Sequence, residues 1–85
     1  MDNQEIFFVY ILRTSSNTLY IGQTNNLEKR VKEHQSKSTR GAKYTRCFAS
    51  VELVYSEKYS TRSEAMKREL ELKSWTKARK EALLI

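Results

Sequence analysis

The chain has 85 residues, fewer than the roughly 100–150 of a common domain, which leaves room for one compact domain over 1–85 and excludes multidomain mechanisms. Apolar residues make up 39% and charged residues 31%, with nine aromatics, a balance that suits a folded domain rather than a disordered tail. Sixteen Lys and Arg against ten Asp and Glu give a net charge of +6, which favours an anionic partner and makes any such contact salt-sensitive.

Ile6–Arg13 is a nearly continuous β-branched and aromatic run, of strand length and short for a helix, and predicts a buried strand over 6–13. Thr14-Ser15-Ser16-Asn17 is turn chemistry, since short polar side chains bond their own backbone, and an apolar pattern resumes over 18–22. The two runs form a hairpin in which Tyr10 and Tyr20 stand in neighbouring strands, close enough for the phenols to meet. Asn25 followed by Glu28 has capping-box spacing and opens a helix over 26–35, with Leu27 and Val31 on its buried stripe and Arg30 and His34 one turn apart on its flank. Ser36–Arg46 is polar, carries Gly41 and reads as a loop, after which Val51–Tyr55 alternates as a third strand over 51–55. Thr61 and Glu64 repeat the capping-box spacing at the head of a helix over 62–73, and a last helix spans 75–82, giving the order ββαβαα.

In the second helix Ala65, Met66, Leu70 and Leu72 define an apolar face, and Glu69 projects near its centre. An ionised carboxylate in a low-dielectric setting needs a cation, donors or a metal. Lys73, one turn on, offers the plain i,i+4 ion pair, and a metal is the alternative. Glu64 is accounted for by its cap. Taken singly, Tyr10 and Tyr20 are half-buried core aromatics, Arg30 a solvated helix residue, and His34 a surface histidine titrating near its reference value. Taken together they are more, because a cation beside a phenol lowers its pKa from about 10 and a histidine carries protons near neutrality.

Between Lys29 and Arg46 seven Lys and Arg face one acid, Glu33, and Tyr44 and Phe48 interleave with them. Lys32, Arg40, Lys43, Tyr44 and Arg46 are therefore candidates to bind a phosphodiester backbone and stack on its bases, against the alternative of a basic loop kept for solubility. Lys77, Arg79 and Lys80 form a second cluster, for which helix-dipole complementarity suffices. Gly22 and Gly41 are the only glycines and form no phosphate loop, one Cys and one His make no four-ligand zinc site, and Cys47 reads as a packing residue. A single cysteine, a start without signal-peptide pattern and the lack of a run of ~20 apolar residues point to the cytoplasm and away from membranes.

Phe8-Val9-Tyr10, then Tyr20-Ile21-Gly22, then Arg30, His34 and the inward Glu69 together resemble the GIY-YIG nuclease superfamily, with Phe8 in place of the name-giving glycine. The resemblance is closest to the small stand-alone bacterial members, echoed by Val9-Tyr10-Ile11-Leu12, by Gly41-Ala42-Lys43-Tyr44-Thr45-Arg46, by Val51–Tyr55 and by Glu64–Glu69, and it spans most of the chain. It implies an α/β fold of the α+β type, a three-stranded antiparallel sheet flanked by helices, and metal-dependent hydrolysis of nucleic acid, DNA ahead of RNA, with Mg²⁺ or Mn²⁺ and no small-molecule cofactor. Carried over by position, Tyr20 orients or deprotonates the attacking water with Tyr10 beside it, Arg30 stabilises charge on the phosphate, His34 helps move the proton and Glu69 holds the metal. Several relatives add an asparagine after the metal-binding glutamate, whereas this chain has none beyond Asn26. Two rival readings are a nucleic-acid-binding module that does not cut, and an adaptor that docks on a protein partner or a second copy through Leu83-Leu84-Ile85.

Overall fold

β1 (Phe7–Thr14) is the middle strand of a three-stranded antiparallel sheet of order β2-β1-β3, and this position explains its unbroken apolar composition. Both its faces are covered. Phe7, Val9 and Ile11 pack on one side with Ile21, Ala65 and Leu72, while Tyr10 and Leu12 pack on the other with Val51, Leu27 and Val31. In this computed structural model, which describes residues 5–36 and 50–84, β2 (Leu19–Thr24) and β3 (Val51–Tyr59) flank β1. α1 (Leu27–Ser36) covers the Tyr10 face, and α2 (Arg62–Lys73) and α3 (Lys77–Leu83) cover the other. The hairpin between β1 and β2 closes on the buried Thr14 hydroxyl, which meets the Thr18 hydroxyl at 2.7 Å and accepts the Thr18 amide at 3.2 Å, and Asn17 takes the left-handed φ of 66° that its short side chain tolerates.

Several local expectations are corrected by the packing. α1 is capped by Asn26 rather than Asn25: the Asn26 Oδ1 accepts the Lys29 amide at 3.1 Å, while the Asn25 side chain donates to Glu5. Either asparagine oxygen can cap a helix, but only Asn25 has a glutamate three residues on, and Glu28 faces Lys32 at 3.8 Å instead of closing a box. β3 continues to Tyr59, four residues past Tyr55, and it does not alternate throughout. Ile11 pairs with Tyr55 but Leu12 with Leu53, so Val54 is an extra residue, and this bulge reverses the parity of the strand. Val51 and Leu53 therefore stand on the α1 side, and Tyr55, Glu57 and Tyr59 on the α2 side.

In α2 the buried stripe is Ala65, Arg68, Glu69 and Leu72, at the i, i+3, i+4, i+7 spacing, whereas Met66 and Leu70 are 46% and 67% exposed. Met66 and Leu70 do not belong to the core face, and the centre of that face is ionic. Arg68 donates to both oxygens of Glu57 at 2.9 and 3.0 Å and to Glu71 at 2.9 Å. The hydroxyls of Tyr55 and Tyr59 each donate to Glu57 at 2.5 Å, so one carboxylate gathers four donors beneath α2. Although burial alone raises a carboxyl, Arg68 and the two phenols hold Glu57 below its usual range. Glu57→Gln turns an amide toward those donors and is predicted to cost about 1–2 kcal/mol in chemical denaturation. An unchanged midpoint would show the network to be ornamental to stability.

α3 begins at Lys77, two residues after the expected start, because Thr76 caps it by accepting the Arg79 amide at 3.2 Å. Lys77 consequently lies in the first turn, where a helix dipole does not favour it, and its ammonium donates to the Asn17 carbonyl at 2.6 Å instead. Arg13 clamps the helix to β1 through a two-pronged contact with Glu81 at 2.7 and 2.9 Å. Leu83 and Leu84 pack against the core, which removes them from any free apolar tail, and Ile85 lies outside the described residues.

Candidate active site

The site is built outward from Tyr10. Its place on the middle strand directs the phenol to the α1 face, where it is 1% exposed. Tyr10 pairs across the sheet with Gly22, and a Cβ at Gly22 would fall 2.5 Å from the Tyr10 hydroxyl and 2.7 Å from Cζ. The glycine is thus the bed on which the ring lies. The sequence places Gly22 beside Tyr20 but carries no signal of this pairing, because strand register is set by long-range contacts. Tyr20 pairs with Leu12, one diagonal step away, and its ring centroid is 6.5 Å from that of Tyr10.

α1 brings Arg30 and His34 down onto the two rings. The Tyr10 hydroxyl and His34 Nε2 are 3.1 Å apart, and the Tyr20 and His34 rings meet edge to face at 5.2 Å. Arg30 hydrogen-bonds Tyr10 and is held from behind by Glu33 at 3.0 Å, an i,i+3 partner that sequence reading passed over although its spacing was visible. Burial pulls the guanidinium down, but the bonds to Glu33 and Tyr10 outweigh it and keep Arg30 charged. Arg30 can only donate to the phenol oxygen, and the direction of the Tyr10–His34 contact follows the imidazole tautomer.

Two expectations about titration are reversed. Tyr10 is not acidified by its arginine: burial pushes the phenol up to about 12, beyond what the Arg30 bond takes back, and the charges of Tyr20 and Glu69 add to the rise. His34 is not a surface histidine. It is 1% exposed, and burial, then the Arg30 cation, pull it down to about 4 against the opposing charge of Glu33. At neutral pH the pair is therefore a protonated phenol beside an uncharged imidazole.

His34 is the sole histidine, so its linkage is readable without interference. A folded-state pKa near 4 against about 6.5 unfolded means that its contribution is complete above pH 6.5 and is lost as pH falls through 4. Between those values the unfolded chain binds more protons, and the cost approaches about 3 kcal/mol. Thermal unfolding from pH 7 to 4.5 should show this fall in the native sequence and a much shallower one in His34→Gln. Equal slopes in the two proteins would mean that His34 does not titrate as its burial demands.

Glu69 comes from α2, on the opposite side of the sheet from Tyr10. The carboxylate is 18% exposed and takes the Lys73 ammonium at 3.0 Å, so the plain i,i+4 pair exists. Among the described residues no three His, Cys, Asp or Glu gather as a metal cage. One partly exposed carboxylate fits a hard divalent ion that completes its shell with water and phosphate oxygens.

A polar cavity of about 270 Å³ opens in front of Arg30, lined also by Thr24, Asn25, Asn26, Lys29 and Glu33. A larger one of about 610 Å³ lies between α1 and Leu53; it is apolar and contains none of the five candidate residues, so size does not mark the chemistry here. Of the expected backbone-binding residues, Lys32 is exposed on α1, and Arg40, Lys43, Tyr44 and Arg46 lie outside the described residues, as does Cys47. Among the described residues no helix is long and apolar enough to cross a membrane.

Comparison with known proteins gives the class: the chain belongs to the GIY-YIG family, whose GIY-YIG catalytic domain matches residues 6–82. Within it the similarity runs to the small UPF0213 proteins. The chain is 48% identical over 77 residues to UPF0213 protein NP_0776A of Natronomonas pharaonis, covering 91% of this chain and 88% of the relative. It is 44% identical over 77 residues to the UPF0213 protein SA0446 of Staphylococcus aureus, covering 91% and 92%. Two solution NMR structures share the fold. The protein EF2693 of E. faecalis aligns with a TM-score of 0.64 at 38% identity, over 99% of this chain and 88% of that one. The UPF0213 protein BH0048 of Bacillus halodurans gives 0.59 at 36%, over 92% and 81%.

Proposed function

We propose that the chain is a metal-dependent endonuclease-like enzyme that hydrolyses phosphodiester bonds in nucleic acid, DNA ahead of RNA, at the site formed by Tyr10, Tyr20, Arg30, His34 and Glu69. The observation that carries this reading is the convergence of side chains from β2 and α1 on one buried phenol: hydrogen bonds with Arg30 and His34 and the Tyr20 ring at 6.5 Å. A purely structural tyrosine on a core strand needs one hydrogen-bond partner, and an arginine together with a histidine exceeds that need.

In the proposed reaction Tyr20 orients or deprotonates the attacking water. The Tyr10–His34 pair, neutral at working pH, receives and passes the proton. Arg30 neutralises charge that develops on the phosphate, which in phosphoryl transfer is the main task left to the protein. Glu69 would hold Mg²⁺ or Mn²⁺, which when bound supplies Lewis acidity at the phosphate and the leaving oxygen.

The deciding experiment mixes the purified protein with end-labelled single- and double-stranded DNA and RNA in Mg²⁺, Mn²⁺ or a chelator. Fragments that appear with metal and vanish with chelator are expected. If nothing is cut while binding falls steeply with salt, the protein is the non-cutting module instead. The adaptor reading has less to stand on, since Leu83 and Leu84 are spent in the chain's own core.

A further inference from the structure

Beside the proposed site, between β2 and the α2–α3 pair, lies a cavity of about 320 Å³ lined by Leu19, Tyr20, Ile21, Lys73 and Lys80. Its floor is apolar, its two charged groups are both ammonium ions, and Tyr20 is a wall it shares with the reaction centre. Lys80 is half-buried and forms no ion pair among the described residues, and its neighbour Glu81 is taken by Arg13. Lys73 belongs to two places at once, since its stem lines the cavity while its Nζ sits 3.0 Å from Glu69.

We propose that Lys73 exchanges partners: it holds Glu69 while the site is empty, and it turns with Lys80 to a phosphate of the nucleic-acid strand in this cavity when a divalent cation takes the carboxylate. The inference rests on Glu69 being the metal ligand of the proposed function. The physical reason is competition for one carboxylate. An ammonium and a divalent cation cannot both have full possession of it, and an ammonium that is displaced 52% exposed beside an apolar floor regains a counter-charge from a backbone phosphate. Metal and strand must then strengthen each other's binding by the same factor.

The test uses the full chain. Mn²⁺ binding to the protein alone is followed by electron paramagnetic resonance of the free ion, and binding of a labelled single strand by fluorescence anisotropy, in Ca²⁺ and in chelator. Removing the competitor in Lys73→Gln should tighten Mn²⁺ about two- to fivefold, as expected for an ion pair of this kind, while Lys67→Gln on the exposed side of α2 controls for lost charge and should change it less. The same Lys73→Gln protein should bind the strand as the native one does in chelator and about threefold or more weaker in Ca²⁺, and Lys80→Gln should weaken the strand in both. Unchanged or weaker Mn²⁺ binding in Lys73→Gln, or an equal loss of strand affinity with and without Ca²⁺, overturns the exchange. Glu69→Gln separates the two levels: if it binds Mn²⁺ as well as the native protein, the ligand assignment itself has failed, whatever Lys73 does.

Discussion

The Glu69→Gln protein is expected to fold, to bind nucleic acid nearly as well as the native chain, and to lose about 100-fold or more in turnover. The amide keeps the volume of the carboxylate on the sheet-facing stripe of α2 but cannot neutralise a divalent ion. The folding cost is confined to the Lys73 pair, half of which is exposed, and is a few tenths of a kcal/mol. Circular dichroism melts, strand binding and single-turnover cleavage on one preparation give the three readouts. If Glu69 is only half of an ion pair, cleavage will be untouched and the melting point alone will move.

Gly22→Ala should damage both stability and turnover. The added methyl carbon would lie 2.5 Å from the Tyr10 hydroxyl and 2.7 Å from Cζ, closer than any real contact, and the ring is enclosed by Leu12, Val51 and α1 with no free space to enter. No glycine in the described residues has a positive φ, so the effect is one of volume and not of backbone strain. Overpacking of this kind costs about 1–3 kcal/mol, and displacement of the phenol breaks its contact with His34, with a turnover loss of about tenfold or more. The double variant Gly22→Ala with Tyr10→Phe removes the colliding oxygen and should recover part of the stability and none of the activity. A Gly22→Ala protein that melts and cuts like the native one would mean that the phenol lies elsewhere in solution.

The parts of this molecule that could be read from sequence are those fixed by short-range rules. Ile6–Arg13 declared itself as a strand buried on both sides because no polar residue interrupts it before Arg13, and Thr61 with Glu64 marked the start of α2 through a cap made within four residues. The inward position of Glu69 followed from helix periodicity alone, and so did Arg30 and His34 on one flank of α1. Register-dependent features were hidden. The bulge at Val54 inverts a strand whose alternation looked regular, and it decides that Glu57 gathers Arg68, Tyr55 and Tyr59 rather than facing α1. Met66 and Leu70 show that hydrophobicity is not burial, since the stripe is completed by an arginine and a glutamate that find partners on β3 and on α2 itself. The titration of the phenol and the imidazole is hidden from sequence for the same reason: desolvation comes from elements far away in the chain.

Among the described strands, Tyr10 stands on the one that is bonded to a neighbour along both edges and roofed on both faces. Amide exchange at this residue should accordingly be as slow as the slowest in the chain, released only by global opening. The proposed reaction centre would thereby draw its rigidity from the same bonds that keep the molecule folded, and substitutions that soften the sheet anywhere along β1 are expected to loosen its chemistry before the fold is lost.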